Sequence, residues 1–260
     1  MRLRAVLLLL VGGLRCRAWD TPPHQAITKA ALDALPKPYV SRLAPEVGAL
    51  IEIYCIYPDR YGEMEGYGFV RRSPGPRDAG EIRRYCVRPD GQIIHGATGD
   101  REMDTGSLVY LLERILTNLA ENRASEAAQY AGVLSHFIAD SLSPPHAIGA
   151  EQLLAIASRA GEGEFINFHA AIERSIPEFT LDGRAPRNLA AHLVPAAEAI
   201  VDQCYEGAAE NKRDLPRMVK AVVAHDEPGL NQYRLRAGIR AAEILSDAVY
   251  TVLTLSEPGH

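Results

Sequence analysis

The amino-acid sequence predicts an all-α fold, a single-domain bundle of many helices. Three observations support this. Apolar positions recur at helical spacing in segment after segment with little strand pattern. Those segments are rich in alanine and leucine, both strong helix formers. The 47 % apolar content over 260 residues suffices for one sizeable core, and no internal repeat or low-complexity tract points to a repeat architecture.

The elements follow in order. Pro22 and Pro23 open a helix expected over 22–35, which Pro36 and Pro38 stop. A second helix is expected over 40–54. Residues 57–99 break the pattern: they are rich in Gly, Pro, Arg and Tyr and long enough to read as an irregular functional insertion. Helical periodicity resumes over 105–119. The next helix, 124–141, packs Ala131, Leu134, Phe137 and Ile138 inward and is ended by Pro144 and Pro145. Further helices are expected over 152–160, 164–176, 188–205, 215–224 and 229–255.

Two helices carry donor pairs. His136 and Asp140, and again His169 and Glu173, are four residues apart, so each pair shares a helix face. His146 follows Asp140 after the Pro-Pro stop. One such pair would most simply be solvated charge; two on neighbouring helices, linked through His146, read as metal ligands. Imidazole and carboxylate without cysteine suit a zinc site used for catalysis rather than a closed thiolate site.

The N-terminus reads as an export signal. Arg2 and Arg4 precede an apolar run from Val6 to Val11, and Cys16 and Ala18 place small residues before a cut that leaves Trp19 first. The run is shorter than the roughly 20 residues a membrane-spanning helix needs. A secreted or periplasmic chain over 19–260 is therefore expected, without a transmembrane anchor. Residues 1–18 hold four arginines and no acidic residue, so the remainder has 24 basic and 33 acidic side chains, a formal net charge of −9. That balance counts against a general polyanion binder.

A free Trp19 amino group and the carbonyl of the same residue form a five-membered chelate, which His24 would complete. The ordered set Trp19, His24, Asp59, His95, His136, Asp140, His146, His169 and Glu173 resembles the trinuclear zinc family of bacterial phospholipases C and fungal single-strand-specific nucleases. The resemblance implies an all-α catalytic domain with a cleft for three zinc ions. Asp59, His95, His136 and Asp140 would hold one ion, and His146, His169 and Glu173 a second. Trp19, His24 and a bridging Asp140 would hold the third. It also implies attack on phosphorus by hydroxide between the first two ions; Asp59 is the candidate to orient that water or act as base, with a role as metal ligand alone standing equally open. His192, His225 and His260 are left without a role.

The substrate is divided between the two branches. The Ser-Pro-Pro stretch before His146, and a glutamate at 173 where the nucleases generally carry aspartate, are similar to the phospholipases. The separation of His146 from His169 is closer to the nucleases. Residues 60–88 hold seven arginines and four acidic residues interleaved with Tyr61, Tyr67, Phe69 and Tyr85. Such a stretch serves stacked bases, a quaternary ammonium headgroup, or a plain solvated loop equally well. Gly96, after His95, offers no stacking aromatic, which counts weakly against a nuclease. A phospholipid headgroup ranks first, with transient membrane-surface contact by a monomer. Single-stranded nucleic acid ranks second, and an exported zinc binder without turnover is the alternative from another class. Cys55, just before the insertion, and Cys86, within it, would close it as a disulfide; the sequence leaves that pairing open. Cys204 would then be a buried thiol.

Overall fold

Helix starts, apolar faces and proline stops assemble here into an all-helical protein. The structure is a computed structural model and describes residues 21–64, 79–159 and 166–256. Helix α1 (Thr21–Asp33) opens on its proline pair. It is followed by α2 (Lys37–Val40), α3 (Val47–Glu52), α4 (Tyr57–Met64) and α5 (Ala79–Cys86). Then come the longer α6 (Arg101–Ala120) and α7 (Ala124–Ser141), the short α8 (Ala150–Arg159) and α9 (Phe168–Glu173), and the long α10 (Leu193–Val223) and α11 (Glu227–Leu255). Among the described residues the only β pairing is an isolated bridge between Val87 and Ile93. None of their helices is long and apolar enough to cross a membrane.

Helix α7 is the axis of the fold. From Tyr130 to Ser141 every residue is buried, so the helix is surrounded on all sides. Helices α1, α3, α4, α5, α6, α10 and α11 all pack on it. The α6–α7 pair is joined by a three-residue turn in which Asn122 takes the left-handed conformation at φ 57°; asparagine tolerates that conformation better than most residues. Gly132, on α7, lets the backbone at Tyr54 lie directly against the helix, where any Cβ would collide with it. A second, smaller apolar cluster joins Leu153, Phe168, Ile172, Leu215, Met218 and Leu230, so α8 and α9 rest on the far part of α10 and the start of α11.

Four expectations change. The helix expected over 40–54 is broken: Pro45 has no N–H to donate and holds Ala44 extended at ψ 145°. The chain passes instead through a 3₁₀ turn at Ser41–Leu43, α3 and a second 3₁₀ turn at Tyr54–Ile56. The insertion is partly helical, since α4 and α5 lie within it. The helices expected over 188–205 and 215–224 are one, α10, because its polar stretch 206–214 lies largely at the surface and Pro216 is accommodated in the interior of the helix. The Cys55–Cys86 disulfide, left open by the sequence, is not formed. Both residues are buried free thiols, and Cys55 Sγ donates to the carbonyl of Ile51 at 3.0 Å. The signal segment 1–18, Trp19 and the Arg- and aromatic-bearing residues 65–78 lie outside the described residues.

Burial pushes the Cys55 and Cys204 thiols up to about 12 and raises Cys86 well above its ordinary value. Thiolate is the reactive form. Iodoacetamide at neutral pH is therefore expected to spare Cys55, Cys86 and Cys204 in the native chain and to modify all three after denaturation without reductant. A disulfide surviving in the denatured, unreduced sample would contradict the free thiols.

Candidate metal centre

The donors converge because α7 carries two of them and its neighbours bring the others to the same face. His24 sits in the first turns of α1 and is fully buried. One turn on, Thr28 Oγ1 donates to the carbonyl of His24 at 2.7 Å and lies 2.6 Å from Ser135 Oγ of α7, so α1 is tied to α7 one residue before His136. The His24 and His136 rings stack at 4.2 Å with an interplanar angle of 11°. His136 Nδ1 lies 2.8 Å from the carbonyl of Cys55. A carbonyl only accepts, so Nδ1 carries a proton, which leaves Nε2 as the nitrogen that would face an ion.

His95 lies on the segment after the Val87–Ile93 bridge. Three contacts fix that segment. The amide of Ile94 donates to the carbonyl of Cys86 at 2.8 Å, and the amide of Ala97 donates to Ser141 Oγ at 2.9 Å. The buried carboxylate of Asp104 accepts from the amide and hydroxyl of Thr98, the amide of Gly99 and the hydroxyl of Tyr205. Gly96 faces α7 so closely that a Cβ would stand 2.9 Å from Asp140 Cβ. Its lack of a side chain is thus a packing requirement and carries no information about substrate, which removes one argument against a nuclease.

Asp140 lies among the imidazoles of His24, His95 and His136. Its Oδ1 lies 3.3 Å from His24 Nε2, and its Oδ2 lies 2.7 Å from His95 Nδ1 and 3.4 Å from His136 Nε2. Asp59, in the first turn of α4, closes the other side, with Oδ1 3.2 Å from His95 Nε2 and 3.9 Å from His136 Nε2. The third group is separate. His169 Nδ1 lies 2.6 Å and His146 Nε2 3.5 Å from opposite oxygens of Glu173, and Ser143 Oγ donates to the oxygen near His146. Eight of the nine expected ligands therefore fall into three donor groups: His24, His136 and Asp140; Asp59, His95 and His136; and His146, His169 and Glu173. Trp19, the ninth, lies outside the described residues.

These residues fit metal ions. Both oxygens of Asp140, both ring nitrogens of His24, His136 Nε2 and His169 Nδ1 are buried without making a hydrogen bond. They crowd one another at ion-pair distance without hydrogen-bond alignment, an arrangement that costs free energy unless something else satisfies them. A divalent cation would do so. His136 has one inward lone pair and serves one ion, whereas Asp140 has two oxygens and can bridge.

Electrostatics follow from the same crowding. Burial would raise Asp140, yet His136 and His95 outweigh it and hold its carboxyl well below the usual range. Asp59 is lowered in the same way: burial opposes, and His136 and His95 prevail. Burial would likewise lower His95, but the carboxylates of Asp140 and Asp59 raise it to about 10, so without an ion its imidazolium is the cation between them. His24 is lowered by burial and then by His136; His169 is lowered to about 3 by burial and then by His146. Both stay neutral, the form a metal needs. The His24, His136 and Asp140 side chains are 0 % exposed, whereas those of Asp59, His95 and His146 are 26 %, 30 % and 23 % exposed, so the latter three form the open rim.

Sequence reasoning missed the supporting groups: the Cys55 carbonyl, Thr28, Ser135, Ser141, Ser143, and Asp104 as the anchor of the His95 segment. Asp104 had a signal, a carboxylate near His95, but half of its partners are backbone amides, which sequence does not distinguish. No family model matches the chain, and neither a curated protein nor a solved structure does.

Asp140→Asn is expected to weaken metal uptake at two donor groups and His24→Ala mainly at one, read as bound metal per chain after equilibrium dialysis; equal losses would contradict the sharing of Asp140. Gly96→Ala is expected to cost about 1–3 kcal/mol of stability by overpacking and to reduce metal affinity, measured by denaturant melts and the same dialysis.

Proposed function

We propose that this chain is an exported zinc-dependent phosphodiesterase of the phospholipase C and single-strand nuclease type, with a glycerophospholipid as first substrate. The observation that carries the reading is Asp140, buried with both oxygens turned to imidazoles of two donor groups, while a third group stands on the adjoining elements. Stabilising the fold would require only one closed site. In this reading Asp59, His95, His136 and Asp140 hold one zinc, His146, His169 and Glu173 a second, and His24, Asp140 and Trp19 a third.

Bound zinc would supply positive charge for the phosphodiester oxygens and lower the pKa of water to near neutrality. The chain's own groups do the rest. The Cys55 carbonyl holds His136 in one tautomer, and Ser143 orients Glu173. Asp104 and Ser141 hold the His95 segment at the rim, where a substrate phosphate can arrive. Asp59 lies at that rim and stays ionised, which suits a carboxylate that accepts a proton from the attacking water.

Glu173 and the Ser-Pro-Pro stretch support the lipid substrate. The nuclease is the second reading, favoured by the long separation of His146 from His169, which α8 occupies.

The test is hydrolysis by the zinc-loaded chain beginning at Trp19, with phosphatidylcholine and single-stranded DNA in parallel. Phosphocholine release abolished by a chelator and restored by zinc is expected. Preferential nucleotide release moves the substrate to nucleic acid, and stable zinc binding without turnover of either leaves a binding protein.

A further inference from the structure

Helix α9 is six residues long and carries both His169 and Glu173. A helix this short has almost no hydrogen-bonded interior of its own, so the placing of its donors depends on its apolar contacts and on how its ends are tied. At the N-terminus, Asn167 Oδ1 accepts from the amide of Ala170 at 3.1 Å. The other end is tied from α11 by a single side chain. Arg234 Nε donates to the carbonyl of Ile172 at 2.8 Å, and Nη2 donates to the carbonyl of Ala171. These carbonyls lie between His169 and Glu173 in sequence and would otherwise lack partners at the helix end.

Arg234 is 2 % exposed and leads the largest fully buried side chains. Its remaining nitrogen, Nη1, donates to Asn231 Oδ1 at 2.7 Å and to Glu227 Oε1. A buried charged side chain is seldom the cheapest way to fill a core, yet here a planar fork reaches two successive carbonyls that an apolar side chain could not serve. A cation at helix C-terminal carbonyls is also favoured by the helix dipole. One turn further along α11, Gly238 leaves room for Ile176 and Phe179, so the chain after α9 continues against the same helix.

We propose that Arg234 is a positioning residue for the His146–His169–Glu173 group. Its guanidinium fixes the carbonyls of Ala171 and Ile172, and so the face on which α9 presents its two donors. The functional meaning of this brace rests on the metal-centre reading above; the brace itself does not.

The experiment compares the chain from Trp19 with its Arg234→Lys and Glu227→Gln variants. Lysine keeps the charge but is a point donor that cannot span both carbonyls and the Glu227–Asn231 pair. Zinc is titrated against a competing chelator, cobalt(II) is used as a spectroscopic probe, and hydrogen exchange is followed in residues 168–173. For Arg234→Lys, faster exchange in α9 is expected, together with about 10- to 100-fold weaker binding at one class of metal site. The other classes and the cobalt bands assigned to them should be unchanged. Glu227→Gln should shift both readouts the same way by less.

Uniform weakening of every class, or faster α9 exchange with all metal affinities intact, overturns the positioning role. Should Arg234→Lys fail to fold, Glu227→Gln decides, since Glu227 is 61 % exposed and its loss leaves the core packed. A parent chain that binds no zinc, with α9 still loosened in the variants, overturns the metal reading and leaves Arg234 as a brace alone.

Discussion

Asp140 imposes the main constraint: an ionised carboxylate fully out of water, with no hydrogen-bond donor aligned to either oxygen. Such a group is tolerated only where positive charge or a cation offsets its lost hydration. Imidazoles of His24, His95 and His136 surround it, and they come from α1, from the segment after the Val87–Ile93 bridge and from α7 itself. Docking α1 and that segment on α7 is therefore coupled to satisfying one buried charge.

The scaffold around this charge is arranged to keep α7 still. Its apolar surface is wrapped on every side, and glycines stand where neighbours come closest: Gly132 against Tyr54, and Gly96 against Asp140. The hydroxyls of Thr28, Ser135 and Ser141 join α1 and the His95 segment to α7 within a turn of the two donors. Side chains held by packing and second contacts have little freedom left to lose when an ion binds, which is how a preorganised site gains affinity.

The His146–His169–Glu173 group is built differently. Its donors stand on a 3₁₀ turn and a six-residue helix over the smaller apolar cluster. Here hydrogen bonds replace bulk: Ser143 to Glu173, Asn167 to the start of α9, and Arg234 to its end. Asp140 still acts on this group, since its charge opposes the burial that lowers His169.

The sequence by itself determined what depends on neighbours along one helix. Period and composition placed α1, α6, α8 and α11 closely and α7 at its observed ends, and four-residue spacing paired His136 with Asp140 and His169 with Glu173. The overlooked break at Pro45 was also local, because proline removes a donor wherever it stands. Tertiary structure alone decided what depends on helices crossing. That His24 meets Asp140, that the Cys55 carbonyl selects the tautomer of His136, that Gly96 is a packing requirement, and that Arg234 reaches back to Ala171 and Ile172 are contacts between distant positions. Two of these use backbone carbonyls, which every residue carries, so no side-chain pattern in the sequence could announce them.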